Sequence, residues 1–303
     1  MGMLLVLFLI FICIFSYKNK KYKESTYYKI TANPYLSVCL DKGRLGEYAI
    51  YRYLKHFEND NVKFLFNVYV PKENGTTTEI DVLMICPKGI LVFESKNYSG
   101  WIFGNEQQKN WTQVLPKGRG RSHKEHFFNP IMQNKGHINC LKSIIDKEVD
   151  FKSIIVFSNR CTLKEITLKN QEIKVINRYR VVEIVAEILG GIEENCLDSE
   201  NIKFLYEKIF PFTQVEESVK KQHIKNIQVA SEDVNQKINE NIETKKQTVS
   251  DTVGKVCPKC GNNMVLRTAQ KGQHVGKQFW GCTNYPKCRY IQNIDGLSLR
   301  KKK

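Results

Sequence analysis

The sequence predicts a mixed α/β fold, a central sheet flanked by helices, with one apolar helix before it and a small cysteine-bearing unit after it. Three observations carry this. Between residues 40 and 213, short runs rich in Ile, Val and Phe alternate with segments of helical period. Residues 1–16 hold no charge. Four cysteines stand near the end of the chain in two pairs.

The N-terminal run reads MGMLLVLFLIFICIFS, and Lys18, Lys20, Lys21 and Lys23 follow at once. A secretory signal carries its positive charge before the apolar run and a small-residue cleavage site after it. Here the charge comes after, and no Ala-x-Ala site is present. Residues 1–17 therefore read as a single-pass anchor. The run is short against the ~20 residues that span hydrocarbon, and Tyr17 extends it to the interface. The lysines place the bulk of the chain in the cytoplasm, at the cell membrane. Residues 18–39 read as a tether.

The α/β domain spans 40–213. Leu45, Ala49, Tyr53, Leu54 and Phe57 fit an amphipathic helix with Glu47 in its first turn or two. VKFLFNVYV is a strand, and TEIDVLMICPKGILVFESKNYSG gives two more, joined at Pro87-Lys88-Gly89. SGWIFGNEQQKNWTQV yields further strands, and PKGRGRSHKEHFFNP reads as a basic loop bearing Lys117, Arg119, Arg121 and Lys124. A helix follows from Pro130, with Ile131, Ile138, Leu141, Ile144 and Ile145 on its apolar stripe. SIIVFSN and EIKVIN are short strands; YRVVEIVAEIL and ENIKFLYEKIF are helices. Residues 214–255 hold no aromatic and only scattered Ile and Val, the composition of a polar linker. The cysteine unit occupies 256–293 and a basic tail 294–303.

At 42% hydrophobic residues the chain has material for a true core, and its 303 residues suit one large and one small domain. A net charge of +16 favours a polyanionic partner, either nucleic acid or an anionic membrane surface. Six cysteines (Cys13, Cys39, Cys86, Cys140, Cys161, Cys196) are scattered without pattern and read as buried free thiols of a reduced compartment.

One constellation carries chemistry. Folding the 77–98 segment as a hairpin with Cys86 opposite Gly89 sets Ile85 opposite Ile90, and further out Asp81 opposite Glu94. Lys96 joins Glu94 by the two-residue strand period. Opposed like charges are unfavourable in a sheet, and a cation between them reverses the sign. Two carboxylates suit a hard divalent ion such as Mg²⁺ or Mn²⁺, and an adjacent lysine can orient a water.

CPKC at 257–260 and CTNYPKC at 282–288 supply Cys257, Cys260, Cys282 and Cys288, the spacing of a four-thiolate structural Zn²⁺ site. A unit of about forty residues is too small to fold on its core alone. Arg267, Lys271, Lys277, Phe279, Trp280, Tyr285, Lys287, Arg289 and Tyr290 mix cations with aromatics, a set suited to phosphates and stacked bases. Phe279 and Trp280 equally suit a mini-core beneath the metal.

Residues ~40–150 resemble the nuclease-related domain (NERD) family of the wider PD-(D/E)xK nuclease-like group. The carrying residues are Gly43…Gly46-Glu47, Glu79-Ile80-Asp81, Val92-Phe93-Glu94-Ser95-Lys96 with Gly100 and Trp101, and Asn129-Pro130…Gln133. The resemblance implies a restriction-endonuclease-like sheet, with Glu47, Asp81 and Glu94 on the metal side and Lys96 as catalytic lysine. It also implies a role for Gln133, with His137 four residues on along the same helix face. The last ~40 residues look like the four-cysteine finger of bacterial type I topoisomerases, through FWGCTNYPKC. That likeness implies DNA contact, with single-stranded DNA favoured, and Arg267, Lys277, Phe279, Trp280, Tyr285 and Arg289 of the cation–aromatic set are the candidate contacts. The combined expectation is a membrane-anchored, metal-dependent nuclease acting on DNA. Its rival is a non-catalytic DNA-binding or tethering protein that keeps an unused nuclease-like domain.

Overall fold

The computed structural model describes residues 2–118, 121–145, 148–192, 196–229, 255–270 and 274–293. Arg119, Lys271, most of the expected linker and the basic tail lie outside these. The chain divides into two compact units, Met1–Asn226 and Ile227–Lys303.

In the first unit, α1 (Gly2–Lys23) opens the chain. It is the one helix among the described residues long and apolar enough to cross a membrane, and Met3 to Phe11 all face solvent. A membrane span and a signal sequence both have this composition. The expected tether is not a free linker. α1 runs on to Lys23, and α2 (Thr26–Thr31) and α3 (Tyr35–Leu40) follow it into the core. Tyrosines drive this: the Tyr22 ring lies 5.4 Å from Tyr28, 5.2 Å from Tyr35 and 5.0 Å from Tyr48 of α4 (Lys42–Leu54). Aromatic pairs at such distances bury large apolar area with a preferred geometry.

The main sheet has the order β1-β2-β3-β7-β9. β1 (Lys63–Pro71), β2 (Thr77–Cys86) and β3 (Gly89–Lys96) form an antiparallel meander. β7 (Phe151–Phe157) and β9 (Lys174–Asn177) add in parallel. The β2–β3 register is as the sequence gives it, with Cys86 opposite Gly89 and Ile85 opposite Ile90. Gly89 has φ +104°, and a Cβ there would press on the Asp150 carbonyl. α4, α5 (Pro130–Ile144), α6 (Val181–Gly190) and α7 (Ser199–Ile209) pack on the sheet and share one large core with it.

A second sheet has the order β6-β5-β4-β8. β4 (Gly100–Asn105) and β5 (Asn110–Pro116) are the strands expected around the two tryptophans. The other two are corrections. The basic 116–130 segment is not all loop, because Ser122–Phe128 pairs along β5 as β6, and Cys161–Thr167 forms β8. β6 is exposed along nearly its whole length, so no apolar alternation marks it. The expected linker is also partly folded. Residues 217–229 are helical (α8), and His223 is buried against β2, its Nδ1 3.1 Å from Thr77 Oγ1. Of the scattered cysteines, Cys86 and Cys161 are buried and Cys140 is half-buried, but Cys13, Cys39 and Cys196 are exposed.

The second unit holds a three-stranded sheet of β10 (Met264–Thr268), β11 (Gln278–Cys282) and β12 (Ile291–Asn293). Its small core is Cys257, Met264, Cys282 and Cys288, with Trp280 and Tyr290 packed against it.

Candidate functional site

The β2–β3 ladder stops at Val82–Phe93. One step further out the Asp81 carboxylate takes the place of a ladder acceptor, its Oδ2 receiving the Ser95 N–H at 2.7 Å. Asp81 and Glu94 are thus brought to the same end of the hairpin. α4 reaches this point because Gly46 has no side chain: a Cβ there would come within 2.6 Å of Ser95 Oγ. The next residue, Glu47, is buried.

Glu94 is 1% exposed and paired on both oxygens. Lys96 Nζ lies 2.7 Å from its Oε1 and His137 Nε2 3.0 Å from its Oε2. Lys96 also donates to Gln133 Oε1 at 3.0 Å, and His137 Nδ1 lies 2.7 Å from the Thr78 hydroxyl. Gln133 and His137 stand one turn apart on α5, so this helix holds Lys96 and Glu94 together. A buried N-cap, Asn129, starts α5: its Oδ1 accepts from Ile131 N at 2.9 Å, and its Nδ2 satisfies carbonyls of the β4–β5 turn.

The three acids differ. Burial would raise the Glu94 carboxyl, but Lys96 and then His137 outweigh it and hold it below the ordinary range. Burial likewise opposes the Lys96 charge, and Glu94 chiefly, then Tyr98 and Asp81, hold the ammonium above its usual value. Burial pushes Asp81 well up, and the negative charges of Glu94 and Glu47 push it further. Glu47 is pushed up to about 7 by burial and Glu79, against hydrogen bonds from Asn67 and Tyr27. Tyr27 donates to Glu47 Oε2 at 3.1 Å and Asn67 Nδ2 at 2.8 Å.

These last two residues are not marked by the sequence motif. Asn67 interrupts the apolar strand KFLFNVYVP and sits at φ +49°, a left-handed conformation that Asn tolerates better than most. That lone polar residue was the available signal. Tyr27 comes from the expected tether.

The site lies between two clefts. One, of about 590 Å³, is lined by Gln133, His137, Phe128 and Met132. The other, of about 470 Å³, is lined by Ser95, Lys96, Asn97, Lys42 and Arg160.

In the second unit, the sulfurs of Cys257, Cys260, Cys282 and Cys288 all lie within 4.8 Å of one another. Cys257 and Cys288 are 3.7 Å apart, Cys260 and Cys282 3.3 Å. Four thiolates about 2.3 Å from a central zinc stand about 3.8 Å apart, so the cluster fits Zn²⁺. Trp280, level with Leu266, lies on the Met264–Cys282 side with the core; Phe279, level with Arg267, lies on the other face. The two aromatics are therefore divided, Trp280 with the core and Phe279 on the opposite face. Arg267, Lys277, Tyr285 and Arg289 are all exposed.

A mixed sheet bearing acid, acid-x-lysine at one hairpin end, followed by a four-cysteine ribbon, defines a nuclease-like α/β protein with a zinc finger. Comparison with known proteins agrees. The nuclease-related domain model matches residues 42–158, and the topoisomerase DNA binding C4 zinc finger model matches 254–296. An uncharacterized protein of Bacillus anthracis is 30% identical over 184 residues, 61% of this chain and 82% of that one. The chain belongs to the nuclease-related domain family. DNA topoisomerase 1 of Helicobacter pylori strain 26695 is 35% identical over 168 residues, and that of Methanocaldococcus jannaschii 48% over 50. Those stretches are 55% and 16% of this chain but only 18% and 6% of the topoisomerases, so the likeness spans a small part of those enzymes. No solved structure matches the chain.

Proposed function

We propose that the protein is a divalent-metal-dependent nuclease that hydrolyses DNA phosphodiesters, anchored by α1 and aided by its zinc finger. The observation that supports this best is the contrast between Glu94, paired on both oxygens with Lys96 and His137, and Asp81, which makes no salt bridge among the described residues and is pushed up by burial and then by Glu94 and Glu47. Pure binding has no need of such a set.

The donors present fit a hard cation. Asp81 offers Oδ1, which has no partner among the described residues, and Ser95, whose N–H meets Asp81 Oδ2, offers its carbonyl as a further ligand. Each Glu94 oxygen keeps a second lone pair beyond its bond to Lys96 or His137. Mg²⁺ or Mn²⁺ would be held by Asp81 and Glu94, with Glu47 completing the shell directly or through water. When bound, it would supply Lewis-acid polarisation of the scissile phosphate and a more acidic water. Lys96, fixed by Glu94 and Gln133, offsets charge developing on the phosphate and orients the water. His137, bridging Thr78 and Glu94, keeps the carboxylate in place. Glu47 can exchange a proton near neutrality. The finger meets DNA through Arg267, Lys277, Phe279, Tyr285 and Arg289, and Lys117, Arg121 and Lys124 add charge on the β5–β6 hairpin. The packing of Tyr22 into the domain favours a retained anchor over a cleaved signal, since cleavage near the end of α1 would open the core.

The test is the full-length chain in detergent with zinc, given labelled single- and double-stranded DNA with Mg²⁺, Mn²⁺ or no added divalent ion. Metal-dependent cutting that disappears in Asp81→Ala supports the assignment. Lys96→Ala should lose at least about a hundredfold in rate and keep its DNA binding. Binding without cutting under any metal moves the reading to a tethered DNA-binding protein.

A further inference from the structure

The carboxyl ends of three adjacent parallel strands gather arginines beside the proposed active site. Lys96 in β3 stands level with Phe157 in β7, and Phe157 with Asn177 in β9. Just past this row come Asn97, the 158–160 turn and Arg178. Ligands of open α/β sheets collect at such strand ends.

The turns are tied down. Arg160 Nη2 donates to the Asn97 carbonyl at 2.9 Å and to its Oδ1 at 3.1 Å, and Arg160 N–H donates to Ser158 Oγ at 3.1 Å. Asn177 Nδ2 spans the Ser158 and Cys161 carbonyls at 3.0 and 3.1 Å, and Asn159 Oδ1 accepts from Tyr179 N at 3.0 Å. Arg178 is half-buried, and its Nε is sealed from water with no acceptor. Burial works against its proton, the nearby Tyr53 hydroxyl favours it, and the charges of Arg160 and of Arg52 from α4 oppose it. No carboxylate pairs with Arg52, Arg160 or Arg178 among the described residues, whereas Arg180, two residues on, is bonded to Glu183 at 2.7 Å. Arg160 and Arg178 stand on adjacent turns at these strand ends, the charge of Arg52 acts on Arg178, and the buried unsatisfied donor of Arg178 costs stability until an anion completes it.

We propose that Arg52, Arg160 and Arg178 form a phosphate-binding cluster for the nucleic-acid strand, engaging backbone phosphate beyond the one at Lys96. Arg160 lines the same cleft as Lys96, which joins this member of the cluster to the proposed site and favours nucleic acid over lipid as the phosphate source. Guanidinium forks match phosphate oxygens in pairs and do not read base sequence. The exposed rings of Tyr53 and Tyr179, beside Arg52 and Arg178 in sequence, suit a strand whose bases are unpaired. The inference rests on the nuclease-site reading, and its test is separable from it.

The experiment measures binding of labelled single-stranded DNA to the full chain in detergent, by anisotropy over a salt series with no added divalent ion. Each lost phosphate contact lowers the slope of log affinity against log salt by about 0.7. Arg160→Gln with Arg178→Gln should therefore lower the slope by about one or more. Arg178→Lys should keep it, and Arg180→Gln should leave it unchanged. An unchanged slope in the double variant overturns the proposal. If that variant instead loses retention on phosphatidylserine beads, the cluster meets lipid and the proposal fails. A fall in Arg178→Lys equal to that in the glutamine variant, with a lower melting temperature, marks damage to the turns and also overturns it. Loss of slope in a chain that never cuts DNA sinks the nuclease reading alone; cutting with an unchanged slope sinks the cluster alone.

Discussion

Glu94 stands in the folded domain with both oxygens already paired, by Lys96 and His137, while the four cysteines of the second unit have chiefly one another. The first centre rests on a large core built from the five strands of the main sheet and the helices packed on it; the second rests on four cysteines, Met264 and two partly covered rings. The difference teaches that the acid site is preorganised by protein contacts and the cysteine site by its metal. Metal removal should therefore have opposite consequences for structure in the two units.

The largest expected effect is on the finger. Structural zinc contributes on the order of 10–16 kcal/mol of apparent binding energy, nearly all of it folding energy in so small a unit. Chelation, or Cys282→Ser, should open residues 256–293 to protease while the first unit stays intact. Equal protection in both units, with and without zinc, would break the comparison.

Next comes the pH response of the acid site. Glu47 sits at about 7 in the fold, against about 4.5 ordinarily, so between these values the folded chain holds a proton that the unfolded chain has lost. Its contribution is present at low pH and is lost as pH rises from about 4.5 to 7, about 3 kcal/mol in all. Asp81 is shifted in the same direction. Without added divalent ions, the melting temperature should fall across this window, and more shallowly in Glu47→Gln. Parallel curves for the two proteins would show that Glu47 is not the titrating group.

How much of this was legible in the chain depends on the range of the interaction. Cys86 opposite Gly89 was readable because the turn and both strands lie within one short segment, and the acid, acid-x-lysine set followed from that register. Gln133 was implied by the family resemblance and His137 by the helix period four residues on, and both meet the strand residues. The partners of Glu47 were not readable. Tyr27 and Asn67 each lie 20 residues away, and no local pattern links them. β6 was hidden because neither of its faces is apolar, and the 18–39 segment because its packing comes from tyrosines, which polar neighbours disguise. Phe279 and Trp280 could not be separated until the β10–β11 register put them on opposite faces.

Two smaller effects sharpen the contrast between the centres. His137→Ala removes one of the two supports of Glu94 and leaves Thr78 without its buried partner. Loss of an outer-shell partner typically costs about 10–100-fold in metal affinity or activity. The expected result is that Mg²⁺-dependent cutting weakens by that factor while melting falls by no more than about 1–3 kcal/mol. A total loss of folding would instead make the site as dependent on a single partner as the finger is on zinc.

The smallest effect separates the finger's two rings. Phe279→Ala should weaken single-stranded DNA binding by about 1 kcal/mol or more, the worth of one stacked base, and leave the zinc unit protected from protease. Trp280→Ala should expose the unit, because Trp280 covers the cysteines and lies beneath the Lys255 ammonium, 5.5 Å from its ring. If both variants unfold the finger, both rings belong to its core and base contact must come from Tyr285 and the exposed cations. If neither does, the zinc alone holds the unit, and the contrast with the self-supported acid site is stronger than the packing implies.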